Sequence, residues 1–168
     1  MIQLLKWFQT NYPELKLALQ QCQHNFDERE TNPYHLEGDC WSHTMMVCKI
    51  AELENYDRVV QVATLLHDIG KPRSRKVNPK NNHVQFFGHE ELSAEMATPL
   101  VADLVERKML SKEEAEEALL LILLHGEIYK HRDEVENRLQ HQPQVLQHLI
   151  ELSHCDNLGR FSDNINTI

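Results

Sequence analysis

Between Trp41 and Glu54 the apolar residues Trp41, Met45, Met46, Cys48, Ile50, Ala51 and Leu53 recur at helical spacing. That pattern puts one broad face of a helix into a core. A second helix is expected from Arg58 to His67, through Val59, Val60, Val62, Ala63, Leu65 and Leu66, with Gly70 and Pro72 stopping it. Short helices are expected around Ile2–Phe8 and Leu15–Leu19, and a loop from Asn25 to Asp39. His89 to Lys108 reads as a helix. Ser111 with Glu114 forms a capping box ahead of a run to His125, which Gly126 could end. A polar helix precedes Pro143, which opens a last helix reaching about Leu158. Val84-Gln85-Phe86 is a short strand or an extended lid segment. With 5 Gly and 6 Pro the chain has too few turn formers for an all-β fold. The expectation is all-α, one compact helical bundle over residues 1–168.

The net charge of −9 argues against a long grip on a phosphate backbone, though not against a local anion site. No stretch of 18 apolar residues spans a membrane. The four cysteines form no C-x-x-C pair and no signal peptide precedes the chain, so reduced thiols in the cytoplasm are expected.

The chemistry concentrates at His67-Asp68, where an apolar helix ends. Both side chains can turn toward one point there, and an imidazole with a carboxylate suits a divalent ion such as Mn, Fe, Ni, Co or Zn. His43 lies inside an otherwise apolar helix, and Asp156 lies in the last helix beside Cys155. Taken singly, His43 reads as a hydrogen-bonded core histidine and Asp156 as an exposed helix residue.

Taken together, the strings Gly38-Asp39-Cys40-Trp41-Ser42-His43-Thr44, Ala63-Thr64-Leu65-Leu66-His67-Asp68-Ile69-Gly70-Lys71 and Gly88-His89-Glu90 resemble the HD superfamily of metal-dependent phosphohydrolases. They are similar to HD domains attached to tRNA nucleotidyltransferases, and still more to those fused to polynucleotide kinases in RNA end-healing enzymes. The resemblance covers roughly Tyr34 to Arg160. It implies a metal held by His43, His67, Asp68 and Asp156, with Asp68 bridging if two ions bind. His89 and His125 are candidate ligands of the second ion, against the plainer roles of helix cap and helix-end charge.

Asp68 and Lys71 are the candidate catalytic residues. Lys71 could hold a phosphate, with Arg73, Arg75 and His35 as further substrate contacts, or His35 as a proton donor. Ile69 to His89 carries five Lys or Arg and no acidic residue, an electropositive rim or simply a solvated loop. Phe86 and Phe87 could stack on a base, with core packing the plainer reading. The remaining histidines read as surface or structural.

The implied substrate is a phosphorylated nucleotide or an RNA end, with 2′,3′-cyclic or 2′-phosphates leading. The alternatives are a hydrolase of small nucleotides or dinucleotide polyphosphates, and a regulatory domain without turnover. No G-x-x-x-x-G-K-[ST] phosphate loop, nucleotidyltransferase head or GYP string is present, so RNA end work would need a free-standing phosphoesterase or a separate kinase or ligase partner. The sequence shows no self-association patch.

Overall fold

The computed structural model describes residues 1–26 and 30–161. Helix α1 (Ile2–Asn11) and helix α2 (Pro13–Gln21) open the chain, followed by α3 (Cys40–Leu53) and α4 (Arg58–Leu66). A short α5 (Lys71–Ser74) and two strands, β1 (Lys76–Val77) and β2 (Val84–Gln85), precede α6 (His89–Glu106) and α7 (Lys112–Leu124). Next come α8 (Glu127–Lys130), α9 (Arg132–Arg138) and α10 (Pro143–Leu158). The all-α expectation holds, with a small hairpin added.

Helix α4 explains the layering. Val59, Val60, Val62, Ala63, Thr64, Leu65 and Leu66 are all buried, so almost every face of this helix is apolar. Such a helix must be surrounded, and α3, α7 and α10 pack against it. Helix α6 lies along α7, and α2 packs on α3. One apolar cluster runs from Leu4 and Phe8 through Leu65 and Leu66 to Leu149 and Leu152.

Local signals start the helices where the sequence places them. Asp39 caps α3, accepting from the Ser42 amide at 2.8 Å. Ser111 and Glu114 form both hydrogen bonds of the capping box on α7. Pro143 occupies the first turn of α10.

Two glycines act differently from the expectation. Gly70 and Gly126 keep right-handed backbone, with φ of −82° and −80°, and a turn of helix follows each. Pro72 sits inside the first turn of α5 instead of ending α4. Gly70 is required by close approach: a Cβ there would lie 2.7 Å from the His89 carbonyl oxygen and 2.7 Å from the Ser93 amide nitrogen. Its own amide donates to Ser93 Oγ at 3.0 Å. The start of α6 is thereby clamped against the turn that follows α4.

Val84-Gln85 is a strand, paired antiparallel with Lys76-Val77. Thr31 bridges to His83, tying the loop before α3 to this hairpin. No described helix is long and apolar enough to cross a membrane. All four cysteines are free and buried.

Candidate metal centre

Each histidine of the cluster sits near a helix end. His43 lies in the first turn of α3, His67 and Asp68 follow α4, His89 opens α6 and His125 follows α7; Asp156 lies in the last turns of α10. Because α4 is central, its C-terminal end faces the ends of its neighbours. His43, His67, Asp68, His125 and Asp156 are each no more than 3% exposed.

The rings are aimed by the same device. His67 Nδ1 donates to the Thr64 carbonyl at 2.9 Å, His89 Nδ1 to Phe86 at 2.8 Å and His125 Nδ1 to Ile122 at 2.6 Å. His43 Nδ1 donates to the Gly159 carbonyl at 3.2 Å and lies 2.9 Å from Glu37 Oε1. Tying Nδ1 to an acceptor fixes the tautomer that leaves Nε2 as a lone-pair donor. All four Nε2 atoms point inward.

They meet at Asp68. Its Oδ2 lies 3.6 Å from His43 Nε2 and 3.2 Å from His67 Nε2, while Oδ1 lies 3.4 Å from His89 Nε2 and 3.8 Å from His125 Nε2. Asp156 Oδ1 closes the first side, 3.0 Å from His43 Nε2 and 4.0 Å from His67 Nε2. Two ligand groups result, His43–His67–Asp156 and Asp68–His89–His125, and Asp68 presents one oxygen to each side.

The donor set fits divalent ions. His67 Nε2 and both Asp68 oxygens are buried without an aligned hydrogen bond among the described residues. Three such atoms side by side would be costly in a purely structural core. Imidazole nitrogen with carboxylate oxygen is a donor set for first-row divalent metals.

The electrostatics agree. Burial works against ionising Asp68, yet His67 and Lys71 hold its carboxyl well below the usual range. Asp156 is likewise held low against burial by Arg160 and His43. Burial opposes charge on His43, but Asp156 and Glu37 raise it to about 9; Asp68 and Glu90 do the same for His89, also to about 9. His125 is pushed down to about 3 by burial and by the charges of His67 and His89.

The cluster floors a cavity of about 450 Å³ whose lining includes Tyr34, His35, Lys71, Phe87, Tyr129 and Arg160. Lys71 is 4% exposed, with Nζ 2.7 Å from Asp68 Oδ2, so its charge first serves that carboxylate. His35 reaches the cavity and donates from Nδ1 to Glu37 Oε1 at 2.6 Å. Burial and the nearby Lys71 push this ring down to about 4. Phe87 is 76% exposed at the rim, whereas Phe86 packs against the core under Lys71.

The structure does not bring Arg73 and Arg75 to this cavity. Arg75 is turned away by Glu30 Oε2 at 2.5 Å and the Gln23 carbonyl at 3.0 Å, and Arg73 is exposed on α5 outside the lining. His24, His35 and Glu37 form a further group of ligand-type side chains. The two rings stack at 4.3 Å and 17°, so their in-plane lone pairs run side by side without converging on one point. His24 Nε2 lies 3.4 Å from Cys40 Sγ, and His148 Nδ1 lies 2.6 Å from Glu117 Oε1.

Three residues escape the sequence reading. Glu37 lies inside the Asn25–Asp39 stretch read as a loop, and nothing there marked its carboxylate as the partner of both His35 and His43. Arg160 stands four residues after Asp156, a helical spacing that could have flagged it. Tyr129 carries no such signal.

A protein-family model described as "HD domain" matches residues 40–158. The Multifunctional CCA protein of Paraburkholderia phymatum is 35% identical over 97 residues, covering 58% of this chain and 21% of that protein. Proteins of the same name from Methylobacillus flagellatus and Nitrosospira multiformis are 31% identical over 116 residues and 30% over 136. These cover 69% and 76% of this chain, and 26% and 31% of those proteins. The chain thus spans between about a fifth and a third of the length of these relatives. No solved structure matches it.

Proposed function

Because this chain belongs to the HD domain family, of the metal-dependent phosphohydrolase type, we propose that it hydrolyses phosphate esters of nucleotides or RNA ends at the centre around Asp68. One ion would be held by His43, His67, Asp68 and Asp156, and a second by Asp68, His89 and His125. The observation that carries this reading is the convergence of four Nε2 atoms on the two oxygens of Asp68, each ring fixed from behind at Nδ1. Mn, Ni, Co, Fe and Zn all suit that donor set.

A bound divalent ion would supply Lewis acidity, acidifying water and neutralising phosphoryl oxygens. The chain's own groups do the rest. Asp68 would bridge the two ligand sets, with Lys71 keeping it ionised. His35, its Nδ1–H held by Glu37 and its ring kept neutral by burial, lines the cavity, where its other nitrogen can accept a hydrogen bond from a substrate hydroxyl. Tyr34 and Phe87, 56% and 76% exposed, offer flat faces to a base at the rim.

The cavity volume suits one nucleotide. With Arg73 and Arg75 outside it, recognition of a single terminal phosphate or a free nucleotide fits better than a long polyanion track. The name shared by the relatives, Multifunctional CCA protein, is compatible with work on RNA ends. The four buried free thiols fit a reducing compartment such as the cytoplasm.

The test is a substrate screen on the Mn-loaded chain with 2′- and 3′-phosphates, 2′,3′-cyclic ends, free nucleotides and sugar phosphates. A nucleotide or RNA phosphate is expected to exceed any sugar phosphate by at least about tenfold, roughly 1.4 kcal/mol in transition-state preference. Equal or better use of sugar phosphates defeats the substrate assignment. Binding of ions with no turnover across the panel would favour a regulatory domain.

A further inference from the structure

We infer that Arg160 is the residue that grips the substrate phosphate in the cavity, with Tyr129 and Asp156 as its positioning residues. The inference rests on the reading of the centre as a phosphate-ester site and names the contact that reading leaves open.

Five N–H groups of a guanidinium donate in one plane. Arg160 uses two of them on one edge: Nε donates to Asp156 Oδ1 at 3.1 Å, and Nη2 donates to Asp156 Oδ2. Its face lies over the Tyr129 ring, with Cζ 5.0 Å from the centroid. The Tyr129 hydroxyl is itself fixed, 2.9 Å from the Ser153 carbonyl and 3.0 Å from Asp156 Oδ2. The guanidinium plane is thereby set by an edge contact and a face contact.

Three N–H groups remain, two of them side by side on the outer edge, without a partner among the described residues. The side chain is 26% exposed, and both Arg160 and Tyr129 line the cavity beside Asp68. A planar fork of this kind matches two oxygens of one phosphate.

The other cations nearby are committed or remote. Lys71 is buried against Asp68, and Arg75 is paired with Glu30. Lys130 is 65% exposed and only loosely near Glu90, at 3.6 Å. Arg160 is the one cation at the cavity floor that is both held in orientation and open on one edge, among the described residues. The ligand it fits is a terminal phosphate, whether on a free nucleotide or on an RNA end.

The test titrates inorganic phosphate into the full chain by calorimetry, once with Mn²⁺ and once with chelator. Arg160→Gln is expected to weaken phosphate binding by about tenfold or more while Mn²⁺ stoichiometry holds. Arg160→Lys should recover part of the affinity, since an ammonium keeps the charge and loses the fork; it also decides the matter if Arg160→Gln fails to fold. In turnover, Arg160→Gln should raise KM for both adenosine 3′-monophosphate and a short 3′-phosphorylated RNA, and the lower wild-type KM identifies the source of the phosphate.

Wild-type phosphate affinity in Arg160→Gln, with Mn²⁺ bound as before, overturns the inference and leaves the metal reading standing. Loss of Mn²⁺ with phosphate binding in chelator unchanged reduces Arg160 to a support for Asp156, which also overturns it. A wild-type chain that takes up no Mn²⁺ defeats the metal reading instead, and the chelator arm still decides Arg160.

Discussion

Glu37 shows how much of the proposed metal site lies behind its candidate ligands. Its side chain is 1% exposed, and one oxygen serves both His35 and His43. Burial opposes its charge, but its hydrogen bonds to those two rings hold the carboxyl far below its ordinary value. Partners behind a ligating histidine typically govern affinity by 10–100-fold, so Glu37→Gln should weaken Mn²⁺ binding by about that factor in calorimetric titration. An unchanged affinity would reduce Glu37 to a structural contact. Proton linkage gives a second check. In the chelated chain His43 and His89, each raised to about 9, are charged at neutral pH. Their raised values stabilise that form fully below the ordinary histidine range, and the contribution is lost as pH rises through about 9. An ion binding at Nε2 must displace those protons, so Mn²⁺ affinity should rise with pH toward about 9 and level off above it. Calorimetry in buffers of different ionisation enthalpy should read proton release near neutrality, and none would contradict protonated rings there. His43, His67 and Asp68 could be singled out in the sequence because short strings with recognisable neighbours carry them, whereas Asp156 followed only from the resemblance as a whole. Glu37 could not, because its shared contact with His35 and His43 is set by how the preceding loop folds onto the start of α3; Arg160 carried only its helical spacing from Asp156.

Helix ends do the positioning. Helices α3, α4 and α7 were readable from their apolar runs, and Ser111 and Pro143 marked the starts of α7 and α10. Helices α5 and α8 are four residues each, too short for any period to show. The role of Gly70 was unreadable for another reason: its constraint comes from α6 passing close by, not from the backbone turn that glycine usually signals. Gly70→Ala should force the start of α6 outward, destabilising by roughly 1–3 kcal/mol and lowering Mn²⁺ stoichiometry from two ions toward one through His89. Thermal melting and metal analysis read both effects. Ser111→Ala is the matching control: loss of the cap should cost about 1 kcal/mol with metal content unchanged. If both variants lose metal alike, the local argument for Gly70 fails.

For the whole molecule, the proposed ion-binding groups sit at or just beyond the ends of α3, α4, α6, α7 and α10, so ions held there would tie those helices together. Free ion at about 100 times its dissociation constant should add about 2.7 kcal/mol to stability, raising Tm by roughly 5–10 °C, reversibly with chelator. A melting point indifferent to Mn²⁺ would argue against a shared centre. The relatives match over a small part of their length, so the location of the chemistry within this chain must be established on the chain itself. The most direct measurement is anomalous scattering at the manganese edge from crystals grown with saturating Mn²⁺. Two peaks are expected, one among His43, His67, Asp68 and Asp156 and the other among Asp68, His89 and His125. A map with no peak in this cluster, or with manganese bound only elsewhere, would contradict the metal centre.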